Sequence, residues 1–382
     1  MNRNHLYLCL FLLSGFFQTC TPKAAVADGI NNITAYIGAY TRDEGWVKGK
    51  SDGIAEITVD SQSGRILSKR PVISMINPSF VLESEDGRYL YAVSELAQED
   101  EPSGFLVALD IKDNYRKISE LPTGGQASCH VAVDKTGKML MTTNYLGGVS
   151  MVFLQQEDGT LIETDKFEVP KGLIFGKEPH LHSANFSPSN RIVAVADLGL
   201  DRVWLFNPNP NTGKIMPHAQ SHVQLAAGAG PRHTEWSADG QFLYVINELN
   251  GTVNVLSYDG GADRFTNVQT ISTLPAGFTE KNSCADIHLH PNGNFLYGSN
   301  RGHNSIVGYS VNKTTGMLEL IGHQSTEGDF PRNFAIAPSG KFLYVANQNT
   351  GNITLHSVNK KNGKLKSLGQ SFDIATPICI EF

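Results

Sequence analysis

Charged residues are scarce in this chain: Asp, Glu, Lys and Arg make up 18% of its 382 residues, and nowhere do they form a long run of one sign. Nucleic acid is therefore not an expected partner, because a phosphate backbone is gripped by a clustered basic face. Cysteine is sparse as well. Setting aside Cys9 and Cys20 near the N-terminus leaves Cys129, Cys284 and Cys379, an odd number whose spacing suits neither a disulfide framework nor a zinc site. They read as small buried apolar groups. No Trp-Asp pair occurs at any of the three tryptophans, which argues against a Trp-Asp-repeat scaffold. The apolar run from Leu6 to Phe17 is short for a membrane span but, preceded by Arg3 and His5, has the form of a secretory h-region. Residues 1–27 are accordingly read as a signal segment, either cleaved after Ala25-Val26-Ala27 or lipidated at Cys20, which would attach the protein to a membrane. The expected location is the periplasm or the outer membrane.

Glycine, by contrast, is plentiful, at 37 residues, and it falls periodically. The stretches NPSFVLESEDGRYLYAVSE, SCHVAVDKTGKMLMTTNY, HLHSANFSPSNRIVAVADL, GPRHTEWSADGQFLYVINE, CADIHLHPNGNFLYGSNR and FPRNFAIAPSGKFLYVANQ each read as a β-hairpin. Their turn residues, Gly87, Gly137, Asn190, Gly240, Gly293 and Gly340, are separated by 50, 53, 50, 53 and 47 residues. These are residue types that tolerate the positive φ of a tight turn. Seven residues beyond each turn stands a short polar side chain: Ser94, Asn144, Asp197, Asn247, Asn300 and Asn347. These repeated residues read as scaffold. A third alternating run, a second turn such as Thr315-Gly316 or Asn362-Gly363, and a weaker polar strand complete each unit. Four strands at a period near 50 predict an all-β fold, a β-propeller.

The chain ends set the blade count. Tyr36–Tyr40, Gly53–Asp60 and Ile66–Ser74 resemble the second to fourth strands of a blade without its first, and Pro377–Phe382 matches Pro231–Trp236 in its Pro, Glu and final aromatic. The C-terminal strand is thus expected to close a ring of seven blades, with residues 28–382 forming one domain and no open sheet edge.

In such a hairpin the start of the first strand lies opposite the end of the second. The first strands line the central channel, so their leading residues gather at one mouth. Two neighbouring sets compete for that mouth: Ser79, Cys129, His182, Arg232, Ala285 and Arg332, or Phe80, His130, Ser183, His233, Asp286 and Asn333. Strand alternation predicts that only one set faces the channel. Glu95, Tyr145, Glu248, Arg301 and Gln348 come from the second-strand ends. Arginines and a carboxylate directed into a narrow channel cost desolvation energy unless paired or met by an anionic ligand, which singles out Arg232, Glu248, Arg301 and Arg332. His180 and His182 flank Leu181 and so project to one side, but no third ligand follows by spacing. Neither a metal nor another cofactor is assigned.

The motifs YIGAYT (36–41), NPSF (77–80), DGRYLYAVSE (86–95), CHVAVDKTG (129–137), DLGLDRV (197–203), GAGPRHTEW (228–236), INEL (246–249), SNRGHNSI (299–306) and FPRNF (330–334) resemble, in order and over nearly the whole chain, those of the lactonase family of seven-bladed propellers. That family contains cycloisomerase-type 6-phosphogluconolactonases and carboxymuconate cyclases. The chain departs from the usual family pattern at Ser94, where Asn is common, and at Asp286, where Glu is common. The resemblance implies hydrolysis of a sugar lactone, 6-phosphogluconolactone to 6-phosphogluconate, with His182, Arg232, Glu248 and Arg301 at the catalytic positions. Glu248, or His182 in its place, would be the base, and Arg232 and Arg301 would hold the oxyanion. Arg332 would bind an anionic group, with His130, His233, His288 and Asn333 as further substrate contacts. Two alternatives remain: an exported propeller that binds a carbohydrate or protein without turnover, and a muconate-lactonising cyclase.

Overall fold

Alternation of apolar and polar residues around tight Gly-centred turns gives, among the described residues, 28 strands, which the computed structural model arranges as seven four-stranded antiparallel sheets. It describes residues 32–170 and 172–382; the expected signal segment lies outside them. Each sheet is one blade. The innermost strands are Pro377–Glu381, Pro78–Glu83, Ser128–Val133, Leu181–Phe186, Pro231–Trp236, Ser283–Leu289 and Pro331–Ile336, which head blades 1 to 7 in that order.

Blade 1 is composite, as the sequence predicts. Its inner strand comes from the C-terminus and pairs antiparallel with Asn32–Ala39, placing Ile37 opposite Ile380 and Gly38 opposite Cys379. The C-terminal strand thereby covers the edge that Asn32–Ala39 would otherwise leave open.

The hydrophobic core is distributed between blades. Phe242, Tyr244 and Ile246 of blade 5 pack on Ile287, Leu296 and Val307 of blade 6, and Tyr344 and Ala346 of blade 7 pack on Ile37 and Ile57 of blade 1. The outer-turn glycines set the spacing. A Cβ at Gly316 would come within 2.3 Å of the Phe242 ring, and one at Gly363 within 2.5 Å of Phe295. Tyr297 and Tyr344 then donate their hydroxyls to the carbonyls of Gly363 and Gly64 in the next blade. Truncating so large a buried ring to alanine costs about 3–5 kcal/mol.

Four of the six repeated polar residues at the second-strand ends, Ser94, Asn144, Asn300 and Asn347, stitch neighbouring blades together, whereas Asp197 and Asn247 bond within their own blade. Asn144 Nδ2 donates to Thr123 O, Asn300 Nδ2 to Thr273 O and Ser94 Oγ to Ile76 O. Each acceptor lies just beyond the outer strand of the preceding blade. Their role is architectural.

One local feature overturns the expectation that a single set of inner-strand residues faces the channel. Every innermost strand carries a β-bulge at its start: Pro231 pairs with Asn247 but His233 with Ile246, which leaves Arg232 as the extra residue. The same irregularity frees Ser79, Cys129, His182, Arg332 and Ile378. A bulge leaves its extra residue unpaired and re-aims its side chain. Both neighbouring sets therefore turn inward, one above the other.

Candidate active site

The upper layer forms a cavity of about 360 Å³ at the mouth, lined by Cys129, His182 and Arg332 from the bulges and by Glu95, Tyr145, Glu248 and Arg301 from the second-strand ends. Trp46, Ala97, Ala127 and Leu146 complete it. Trp46 sits on the long connection after the first N-terminal strand and packs edge-on against Tyr40. That connection is fastened to the next blade by Arg42, which makes a bidentate pair with Glu101 at 2.6–2.7 Å. Nothing in the repeat pattern points to Trp46, because it lies in a connection that the repeat does not include.

Glu248 is the electrostatic centre. Its Oε2 is 2.8 Å from Arg301 Nη2 and 3.0 Å from Arg232 Nε. The Arg232 N–H is not aligned on the oxygen, so this second contact is Coulombic rather than a hydrogen bond. Burial by itself would raise the pKa of Glu248, but Arg301, Arg232 and Arg332 together hold it below the usual carboxylate value. The arginines are fixed by main-chain acceptors: Arg301 Nη2 donates to Cys284 O at 2.8 Å and Arg232 Nη1 to Ala285 O at 2.7 Å. Burial, with Arg301 and Arg332 nearby, lowers the pKa of Arg232 to about 10, so it is a cation at neutral pH.

Across the cavity Arg332 lies over the Tyr40 ring and makes no hydrogen bond among the described residues; Glu95 Oε2 is 3.9 Å away. Glu95 instead accepts from the Tyr40 hydroxyl at 3.0 Å. Burial raises its pKa despite Arg332. His182 is kept neutral, its pKa pushed well below the usual histidine value by burial and by Arg232. Its Nδ1 is 3.8 Å from Cys129 Sγ, a thiol that burial raises to about 12 and so leaves without nucleophilic character.

The sequence-predicted residues thus divide. His182, Glu248, Arg301 and Arg332 line the cavity, and Arg232 flanks Glu248. His130, His233, His288 and Asn333, expected as substrate contacts, do not line it. They form the lower layer, in the channel beneath. Their position on the axis is shown by ring contacts that skip blades: His130 to His233 at 5.5 Å, and Phe80 of blade 2 to His233 of blade 5 at 6.2 Å. The bulge accounts for the difference, since it gives the mouth to the preceding residue in each strand. His180 stacks on Tyr145 outside the cavity lining, and among the described residues no group of three His, Cys, Asp or Glu side chains converges as a metal site would require.

The arrangement as a whole places three guanidinium groups, two carboxylates and a neutral imidazole around one enclosure, a set suited to an anionic ligand with an ester carbonyl. Residues 34–382 match the model of a family described as lactonase, 7-bladed β-propeller. Among curated relatives, a 6-phosphogluconolactonase of Bacillus subtilis is 31% identical over 91% of this chain and 97% of its own length. One from Formosa agariphila is 35% identical over 79% of this chain and 85% of its own. Among solved structures, a periplasmic gluconolactonase of Pseudomonas aeruginosa superposes with a TM-score of 0.83 at 28% identity, covering 91% of this chain and 98% of that one.

Proposed function

Because this chain belongs to the lactonase family of seven-bladed β-propellers, we propose that its mouth cavity hydrolyses the ring ester of a sugar lactone, with 6-phosphogluconolactone as substrate and 6-phosphogluconate as product. The observation that carries this reading is the pairing of one Glu248 oxygen with both Arg232 and Arg301. Glu248 Oε1 accepts no hydrogen bond among the described residues, and it is the oxygen we assign to take a proton from water. The water oxygen then bonds to the lactone carbonyl carbon, and the carbonyl oxygen becomes an oxyanion.

Charge stays balanced through that step. As Glu248 gains the proton, its hold on the two guanidiniums weakens while negative charge appears on the substrate, and the same preorganised cations can stabilise it. Collapse of the tetrahedral intermediate breaks the bond to the ring oxygen, which receives the proton from Glu248. Arg332 is the group we assign to the phosphate of the substrate. His182, neutral and at the cavity wall, is the second base available.

Export belongs to the same proposal. The N-terminal apolar run, and a structural relative described as periplasmic, support a periplasmic or membrane-anchored protein, with Cys20 as the lipidation site in the second case. Cell fractionation tests this part.

The activity is tested with purified protein and a panel of sugar lactones, followed by pH-stat with the spontaneous rate subtracted. Turnover of 6-phosphogluconolactone well above the blank is expected. Binding without turnover would instead indicate a carbohydrate-binding module.

A further inference from the structure

Beneath the cavity a hydrogen-bonded chain crosses four blades. Arg232 Nη1 lies 3.1 Å from His233 Nε2, and His233 Nδ1 lies 2.7 Å from Asp286 Oδ1. Asp286 Oδ2 is 2.9 Å from His288 Nε2 and accepts from Asn333 Nδ2 at 2.5 Å. Asn333 Oδ1 in turn accepts the amide of Ile380, in the strand that closes the ring, at 2.8 Å. One end of the chain is a cation of the catalytic layer; the other is the closing strand.

Proton direction along the first two links is fixed by chemistry. A guanidinium only donates, so His233 Nε2 must be the acceptor, and the single N–H of the neutral ring must sit on Nδ1 and point at Asp286. Burial, then Arg232, hold the His233 pKa at about 4, so the ring is neutral at physiological pH. Asp286 is 1% exposed and ionised: burial opposes this, but His288 and His233 outweigh it. His130 and His182 meet the His233 ring only through ring contacts, at 5.5 and 5.3 Å, and offer its Nε2 no competing hydrogen bond.

We propose that Asp286 is a positioning residue for the lactonase reaction: it locks His233 as the Nδ1–H tautomer, and His233 then presents Nε2 to Arg232, holding the guanidinium in place beside Glu248. With Nη1 fixed by His233 Nε2 and Ala285 O, Arg232 keeps Nε against Glu248 and has Nη2 without a partner among the described residues. A donor fixed in advance needs no reorganisation when the oxyanion forms. This inference rests on Arg232 being the oxyanion donor.

Two amide substitutions separate the links. In H233N the amide nitrogen replaces Nδ1, keeping the bond to Asp286 while offering Arg232 nothing. In H233Q the amide oxygen stands near the Nε2 position, keeping an acceptor for Arg232 while giving up Asp286. Each is compared with R232A on the full-length protein, using 6-phosphogluconolactone. Removing the donor itself should lower kcat about 10²-fold or more. H233N should lower kcat by up to about 10²-fold, the scale of a misplaced group, with KM little changed, and H233Q should retain clearly more of kcat than H233N. Equal losses in the two, or unchanged kcat in H233N while R232A has lost it, would overturn the inference and leave the lactonase reading standing. Unchanged turnover in R232A would overturn that reading itself. Should H233N not fold, ¹⁵N-histidine NMR of the unsubstituted protein decides: His233 protonated on Nδ1 is expected, and protonation on Nε2 overturns the proposal.

Discussion

Arg332 Nη2 stops 3.9 Å from Glu95 Oε2, so the two do not form a close pair. The Arg332 side chain is 13% exposed and its guanidinium lies over Tyr40, held in place but with its hydrogen-bonding capacity unspent. A phosphate can take up those donors with charge-assisted bonds. R332A should therefore raise KM for 6-phosphogluconolactone by about tenfold or more, the scale of a lost hydrogen bond to a charged group. KM for unphosphorylated gluconolactone should change far less. Equal changes for the two lactones would remove Arg332 from phosphate recognition.

The acid limb of the activity profile follows from the two candidate bases. Burial and Arg232 hold His182 well below the usual histidine pKa, and Glu248 lies below the usual carboxylate value. Neither gains a proton near pH 6.5, so kcat/KM for unphosphorylated gluconolactone, which has no phosphate to titrate at about pH 6, should, corrected for spontaneous opening, be flat through that pH and fall only well below it. An inflection near 6.5 would mean that another group controls the reaction.

Stability should fall on the alkaline side. In the channel, burial raises Glu235 to about 7 and Glu381 to about 8, while Asp286 carries His288 up to about 9 against its burial. All three are raised, so the folded state binds more protons than the unfolded one and stability decreases with rising pH. The carboxylic acids contribute fully only below their unfolded values, and their contribution is gone above about 7 and 8. That of His288 is complete below about 6.5 and lost as pH rises through about 9. Depressed histidines such as His182 and His233 add stability as pH rises through about 6.5, so the test lies above that range: Tm measured from pH 7.5 to 9 should decline, and E381Q should flatten part of the decline. A rising Tm over this range would contradict these protonation states.

Removing residues 377–382 deletes the inner strand of blade 1. Tyr36, Ile37, Gly38 and Ala39 lose their ladder partners, and Ile380, which packs with Tyr344 and Ala346 of blade 7, is lost with them. The truncated chain should show no cooperative thermal transition near that of the full chain. A separately added peptide of those six residues should restore some of it. A truncation that melts like the full chain would show that the ring does not depend on this closure.

Much of this architecture can be read from the residues. Gly87 to Gly340 give the period, Asn144 and its equivalents mark the second-strand ends, and the likeness of Pro377–Phe382 to Pro231–Trp236 identifies the closing strand. Glu248, Arg301 and Arg332 are found at the mouth because antiparallel pairing puts second-strand ends beside first-strand starts. The division between cavity and channel was not legible, because alternation assumes an unbroken ladder. The bulge that places Arg232 above His233 leaves one faint mark: prolines at 78, 231, 331 and 377, immediately before the bulged residue, where a residue without an N–H weakens the ladder. Trp46 could not be found at all, since its place depends on a connection held by Arg42 and Glu101 rather than on any repeat.

The measurement that bears most directly on Glu248 as the proton acceptor is the single-turnover rate of E248Q on 6-phosphogluconolactone, in protein whose melting shows an intact fold. Glutamine keeps the shape of the side chain but removes both the charge shared by Arg232 and Arg301 and the capacity to take a proton from water. The expected result is a fall of about 10²-fold or more, the usual weight of a positioned general base. A rate equal to that of the unsubstituted protein would contradict the account and transfer the base to His182 or elsewhere.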